Sequence, residues 1–104
     1  MSVIRNILEE ERERLSKLLE KYKKEIEKLP RGSISKKIRN GKWYLYRAYR
    51  EKKSVKFEYI GKESSLKAQE IDKQIQKRKK YQSLIAEVRR DLSEIERAIH
   101  ERKV

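Results

Sequence analysis

The sequence predicts an α+β fold that is mostly α: an antiparallel two-helix coiled-coil hairpin with a three-stranded antiparallel β-meander inserted at its tip. Three observations carry this expectation. Residues 2–29 and 65–103 contain neither glycine nor proline and repeat apolar residues at heptad spacing. All three glycines and the single proline fall within residues 30–61. That middle segment also holds Trp43, Phe57 and four of the six tyrosines, set in the alternation expected of strands.

In the first helix, residues 2–29, Leu8, Leu15, Tyr22 and Leu29 occupy one seam position, with Ile4 and Leu18 on the other. Glu11 and Glu25 interrupt the second seam, and Leu19 and Ile26 widen the stripe on its flank. Ser2 is the expected N-cap, the acidic group Glu9–Glu13 lies toward the positive end of the helix dipole, and Pro30 stops the helix. Its length is about 42 Å at 1.5 Å per residue.

The second helix, residues 65–103, places Ile71, Ile85, Leu92 and Ile99 on one heptad position and Tyr81, Val88 and Ile95 on the other. Ser64 or Ser65 caps its start. Antiparallel pairing sets Leu8 against Ile99, Leu15 against Leu92 and Tyr22 against Ile85. The first helix then runs out near Tyr81, leaving Leu66, Ala68, Ile71 and Ile75 in need of a different partner, which the middle segment supplies.

Within the meander, residues 33–61, Asn40-Gly41 between apolar runs signals a type I′ hairpin turn, with both central residues at positive φ. A second turn around Glu51–Ser54 returns Val55–Ile60 along the middle strand. With a second loop of two or four residues, alternation sorts the side chains as follows, and a slip of one residue would exchange the third strand's members. One face carries Tyr44, Tyr46, Ala48, Val55, Phe57 and Tyr59. The other carries Ile34, Lys36, Ile38, Trp43, Leu45, Arg47, Tyr49, Lys56 and Ile60. The first is the more apolar and is expected to pack on Leu66, Ile71 and Ile75, because so small a sheet needs a packing partner. The chain is read as a single domain, 1–104.

The charge is unevenly placed. Of a formal net +13, the first thirty residues contribute +1 and residues 63–104 contribute +3, so residues 31–62, with 11 basic and 2 acidic groups, carry +9. Such uncompensated charge on a small folded piece repels itself unless a polyanion neutralises it. The candidate nucleic-acid-binding residues are therefore Lys36, Lys37, Arg39, Lys42, Trp43, Arg47, Tyr49, Lys53 and Lys56 on the meander. Lys77, Arg78 and Lys80 join them from the Lys77-Arg78-Lys79-Lys80 run on the second helix. Basic groups interleaved with aromatic rings can contact phosphates and stack bases. The competing structural readings are lysines that protect sheet edges and a Trp43 packed on Ile34, Ile38 and Ile60.

Catalytic chemistry is not expected. No cysteine is present, which excludes disulfides, thiolate metal sites and thiol nucleophiles. His100 is the only histidine, no phosphate-cradling glycine motif occurs, and Glu51 and Glu58 sit among lysines. No cofactor is implied. The apolar runs are too short for a membrane span, and Met1–Leu8 is followed at once by Glu9, Glu10 and Glu11, unlike a secretion signal. A soluble cytoplasmic protein is expected, monomeric or a homodimer through its helices.

Three stretches carry a resemblance: Leu29–Lys37, Asn40–Tyr46, and Tyr49-Arg50-Glu51 with Val55–Lys62. On them the chain resembles small uncharacterised bacterial and mobile-element proteins built as helix, Gly-Lys-aromatic meander and helix. The meander is also similar to the N-terminal strands of some insertion-sequence transposases and to the three-stranded arm-type DNA-binding domain of tyrosine recombinases. The last resemblance implies that Lys36, Trp43, Arg47, Tyr49 and Lys56 face a DNA groove.

The function these readings favour is non-enzymatic nucleic-acid binding, the basic meander contacting the phosphate backbone of DNA or RNA. The alternative is a protein-interaction module (an inhibitor, antitoxin-like or phage-encoded accessory protein) whose basic end docks on an acidic or nucleic-acid-binding surface of a partner. A third reading, a structural coiled coil dimerising through exposed seams, is opposed by Glu11, Glu25 and Arg78 at seam positions.

Overall fold

A computed structural model of the chain describes residues 2–101. Five elements follow in order: α1 (Val3–Glu27), β1 (Ser33–Arg39), β2 (Lys42–Glu51), β3 (Ser54–Lys62) and α2 (Leu66–Glu101). The helix–meander–helix order and the α+β class are as the sequence predicts. The chain forms two compact units, one from α1 and the part of α2 beyond Tyr81, the other from Leu29–Lys80.

In the first unit the helices bury Leu15, Ile85, Val88 and Ile99. Arg12 donates to Glu96 across the pair at 3.1 Å, one residue from the expected register. Tyr22 meets Tyr81 at 5.7 Å between ring centroids, a turn away from Ile85. The carboxylates at seam positions are satisfied locally. Arg14 donates two hydrogen bonds to Glu11, holding its carboxyl below the ordinary carboxylate range, and Lys28 reaches Glu25 at 3.3 Å. Ser2 stands at the N-cap position of α1, but its side chain makes no capping bond. The helix ends two residues before the expected Leu29. The residue preceding a proline is pushed out of the α region, and the Lys28 N–H closes the last turn on Glu25 and Ile26.

The second unit is a sheet of order β1-β2-β3, all antiparallel. Asn40 (φ 50°) and Gly41 (φ 76°) make the first turn with the positive angles that a type I′ geometry requires. Glu51 pairs with Ser54, so the second loop is Lys52-Lys53, and Lys52 takes the left-handed φ of 57°. A side chain at that φ costs about 1–2 kcal/mol. Lys52→Gly is accordingly expected to raise stability by about 1 kcal/mol, less what glycine adds to unfolded-chain entropy, measured as a higher urea midpoint. Ser65 caps α2: its Oγ accepts the Ala68 N–H at 3.2 Å and donates to the Lys62 carbonyl at 2.8 Å. The expected end of α2 at residue 103 lies outside the described residues.

The sheet packs through the opposite face from the one its apolar content suggests. Leu45 and Ile60 form the core with Ala68, and Ile34 and Ile71 pack against it. Phe57, Tyr59 and Val55 are exposed, as is Leu66, 85% accessible and not part of the packing. Ala68, wholly buried, has a side chain small enough to let the sheet approach α2 closely. Aliphatic Ile34, Leu45 and Ile60 fill that narrow space better than four large rings would. A register shift between Leu45 and Tyr46 leaves Ile60 as the extra residue on β3, which aims it into this core.

Candidate nucleic-acid interface

The strand register sorts the cations. Lys37 pairs with Tyr44, Ser35 with Tyr46 and Arg39 with Lys42; across β2 and β3, Tyr46 pairs with Tyr59, Ala48 with Phe57 and Arg50 with Val55. Directly paired residues share a face. The open face therefore combines four rings (Tyr44, Tyr46, Phe57, Tyr59) with five cations (Lys37, Arg39, Lys42, Arg50 and, paired with Tyr44, Lys62) and no carboxylate. Both strand glutamates, Glu51 and Glu58, alternate to the other side.

The rings touch. Tyr44 lies 6.3 Å and Tyr46 5.4 Å from Tyr59 between centroids. The Lys37 ammonium rests over Tyr46 at 4.9 Å and over Phe57 at 5.0 Å, drawn by the negative ring faces. Arg39 and Asn40 line a shallow groove with Tyr44, Tyr46 and Tyr59. Phe57, with no polar atom, is 55% accessible, and Tyr59 is 54% accessible.

The residues singled out from sequence divide into three groups. Lys37, Arg39 and Lys42 lie on the open ring face, and Lys53 lies in the second turn. Lys36, Trp43, Arg47, Tyr49 and Lys56, the set that the recombinase likeness turns toward DNA, occupy the alternate positions, on the side that packs on α2. There Lys36 is paired with Glu63 at 3.3 Å. Arg47 is half-buried: it donates to the Arg31 carbonyl at 2.8 Å and to Glu58 at 3.2 Å, and stacks on Tyr49 at 4.0 Å. Its guanidinium thus ties the segment leading into β1 to β2 and β3. Trp43 pairs with Ile38, and both remain about half exposed, so the expected packing of Trp43 on Ile34 and Ile60 is incomplete. Lys77 and Lys80 are exposed on α2, whereas Arg78 is half-buried and donates to the Leu29 carbonyl at 2.9 Å.

The sequence assigns Tyr44, Tyr46, Phe57 and Tyr59 to the core, whereas the structure leaves them on the open face, where Arg50 and Lys62, outside the candidate set, join them. The signal was readable. At alternate positions the rings coincide with cations, and both strand carboxylates fall in the opposite set.

Among the described residues no group of three His, Asp or Glu could hold a metal ion, and no helix is long and apolar enough to cross a membrane. Residues 8–70, spanning most of α1, the whole meander and the start of α2, match DUF6788, a domain of unknown function, and the chain belongs to that family. Neither the curated proteins nor the solved structures contain a significant match to it.

Proposed function

We propose that this DUF6788 member is a non-enzymatic, cytoplasmic nucleic-acid-binding protein that contacts the phosphate backbone through its β-meander. One observation carries the reading: among the described residues, only Lys36 and Arg47 of the 11 basic residues in 31–62 have carboxylate partners, and five of the rest share a sheet face that bears no acid. Lys52 and Lys53 extend that basic surface at the second turn, giving seven exposed cations for phosphates.

Seven neutralised phosphates give log K against log salt a slope of about −6 on duplex DNA and about −5 on a single strand. Lys37→Glu with Arg50→Glu is expected to flatten that slope by about 2 and to weaken binding far more than Arg89→Glu with Arg90→Glu. The latter pair makes the same charge change on α2, where both side chains are exposed. Equal losses at the two places, or an affinity insensitive to salt, would overturn the proposal.

A second reading rests on the directly paired and half-exposed Ile38 and Trp43, an apolar spot beside Lys36 suited to an acidic protein partner. A purified partner that stays bound after nuclease treatment, and is lost on Trp43→Ser, would favour it.

A further inference from the structure

We propose that the open ring face of the sheet is a stacking platform for single-stranded nucleic acid, with bases lying on Tyr46, Phe57 and Tyr59 and phosphates taken by Lys37, Arg39 and Arg50. This rests on the nucleic-acid reading above and specifies which form of nucleic acid the sheet recognises.

The argument begins with what a duplex lacks. Its bases are already stacked on one another, so it offers an aromatic surface nothing but phosphates and groove edges. Unpaired bases have free π-faces, and stacking them on protein rings is favourable for any base identity. A surface that served duplex DNA alone would need its cations and not its rings. Here Tyr59 lies 6.3 Å from Tyr44 and 5.4 Å from Tyr46 between centroids, and the Lys37 ammonium bridges Tyr46 to Phe57. Phe57 offers a ligand no hydrogen bond, so its exposed ring recognises by its face and edge alone.

Charge selects the occupant. An apolar protein surface would suit the rings equally but would bury Lys37, Arg39, Lys42 and Arg50 without counter-charges, and the face provides none of its own. A strand of nucleic acid brings a phosphate with every base. Lys37 links the two kinds of contact. Its ammonium occupies the faces of Tyr46 and Phe57 in the free protein. An arriving base takes its place on the rings, and the freed ammonium, on a flexible four-carbon stem, swings to the adjoining phosphate. The cation–π contact given up is weak at an exposed site, and a charge-assisted hydrogen bond replaces it.

The test measures anisotropy of labelled oligonucleotides of equal length (single-stranded DNA, single-stranded RNA and duplex DNA) at matched salt. The proteins compared are wild type, Phe57→Thr, Tyr59→Thr and the double variant, since threonine keeps strand propensity while removing the ring. Wild type is expected to bind single strands at least tenfold tighter than duplex. Each ring lost should weaken single-strand binding by about tenfold, leave duplex binding within about twofold, and leave the salt slope unchanged. The DNA and RNA arms show whether the 2′-hydroxyl contributes. If duplex binds as tightly and the ring variants are indifferent, the platform is disproved while the phosphate-binding reading stands. If no nucleic acid binds, both fall. Sedimentation of the same variants provides the remaining outcome: a dimer dispersed by ring removal makes the face a self-interface and overturns the proposal. The single variants alone decide the matter should the double variant lose its strand signal in circular dichroism.

Discussion

Leu45→Ala is expected to destabilise the protein by about 3 kcal/mol, while Phe57→Ala, which deletes a larger side chain from the same sheet, costs less than about 1 kcal/mol. Leu45 is 3% accessible and packs with Ile60 and Ala68; Phe57 is more than half in water. Truncating Leu45 removes buried methyl groups and leaves a void between the sheet and α2. Truncating Phe57 forfeits only cross-strand contact with Ala48 and the Lys37 ammonium. Small domains have total stabilities toward the lower end of about 5–15 kcal/mol, so the first change removes a large share and the second is nearly silent. Urea unfolding followed by Trp43 fluorescence measures both. The reverse order, with Phe57→Ala the costlier, would mean that the ring face is the packed one and would remove the basis for any ligand there.

That contrast also marks where the sequence stops being legible. Heptad spacing located both ends of α1 to within two residues and the start of α2 to within one. Asn40-Gly41 located the first hairpin, and the alternation of β2 correctly separated Tyr44, Tyr46 and Ala48 from Trp43, Leu45, Arg47 and Tyr49. What alternation cannot say is which set faces inward. Counting apolar residues favours the rings, but packing is decided by the opposing surface. That surface is an α2 face built on Ala68 and Ile71, and it takes Ile34, Leu45 and Ile60. Leu66 looks like part of that face and is not, since it sits in the first turn, beyond the sheet contact.

The candidate site was legible to the same degree. Segment charge pointed correctly at the meander as the source of most of the net charge, and Lys37, Arg39 and Lys42 lie where a ligand could reach them. Arg47 and Arg78 carry the same formal charge, but they spend it on the Arg31 and Leu29 carbonyls. A cation that closes a chain segment and one that stays open to solvent look identical in composition. Only the acceptor within 3 Å tells them apart.

Gly32→Ala is the other substitution expected to be severe, at about 3 kcal/mol or more. Gly32 has φ +108°, a conformation that side chains rarely adopt. A Cβ there would stand 2.3 Å from the Ala48 carbonyl oxygen and 3.1 Å from its carbon. Those atoms belong to the backbone of the central strand, which is hydrogen-bonded on both sides and cannot swing away as a side-chain tip could. The neighbouring Ser33–Ala48 pair opens the β1 ladder, so the clash falls where β1 first docks. Gly41→Ala provides the comparison: its φ of 76° is also positive, but a Cβ there meets nothing within 4 Å, and the cost should be only about 1 kcal/mol. Because β1 carries Lys37 and Arg39, Gly32→Ala should also weaken binding to any polyanion, and Gly41→Ala should not. Equal urea midpoints for the two variants would show that β1 does not approach β2 as closely as Gly32 requires, and the shared face of Lys37 with Tyr46 and Phe57 would be lost with it.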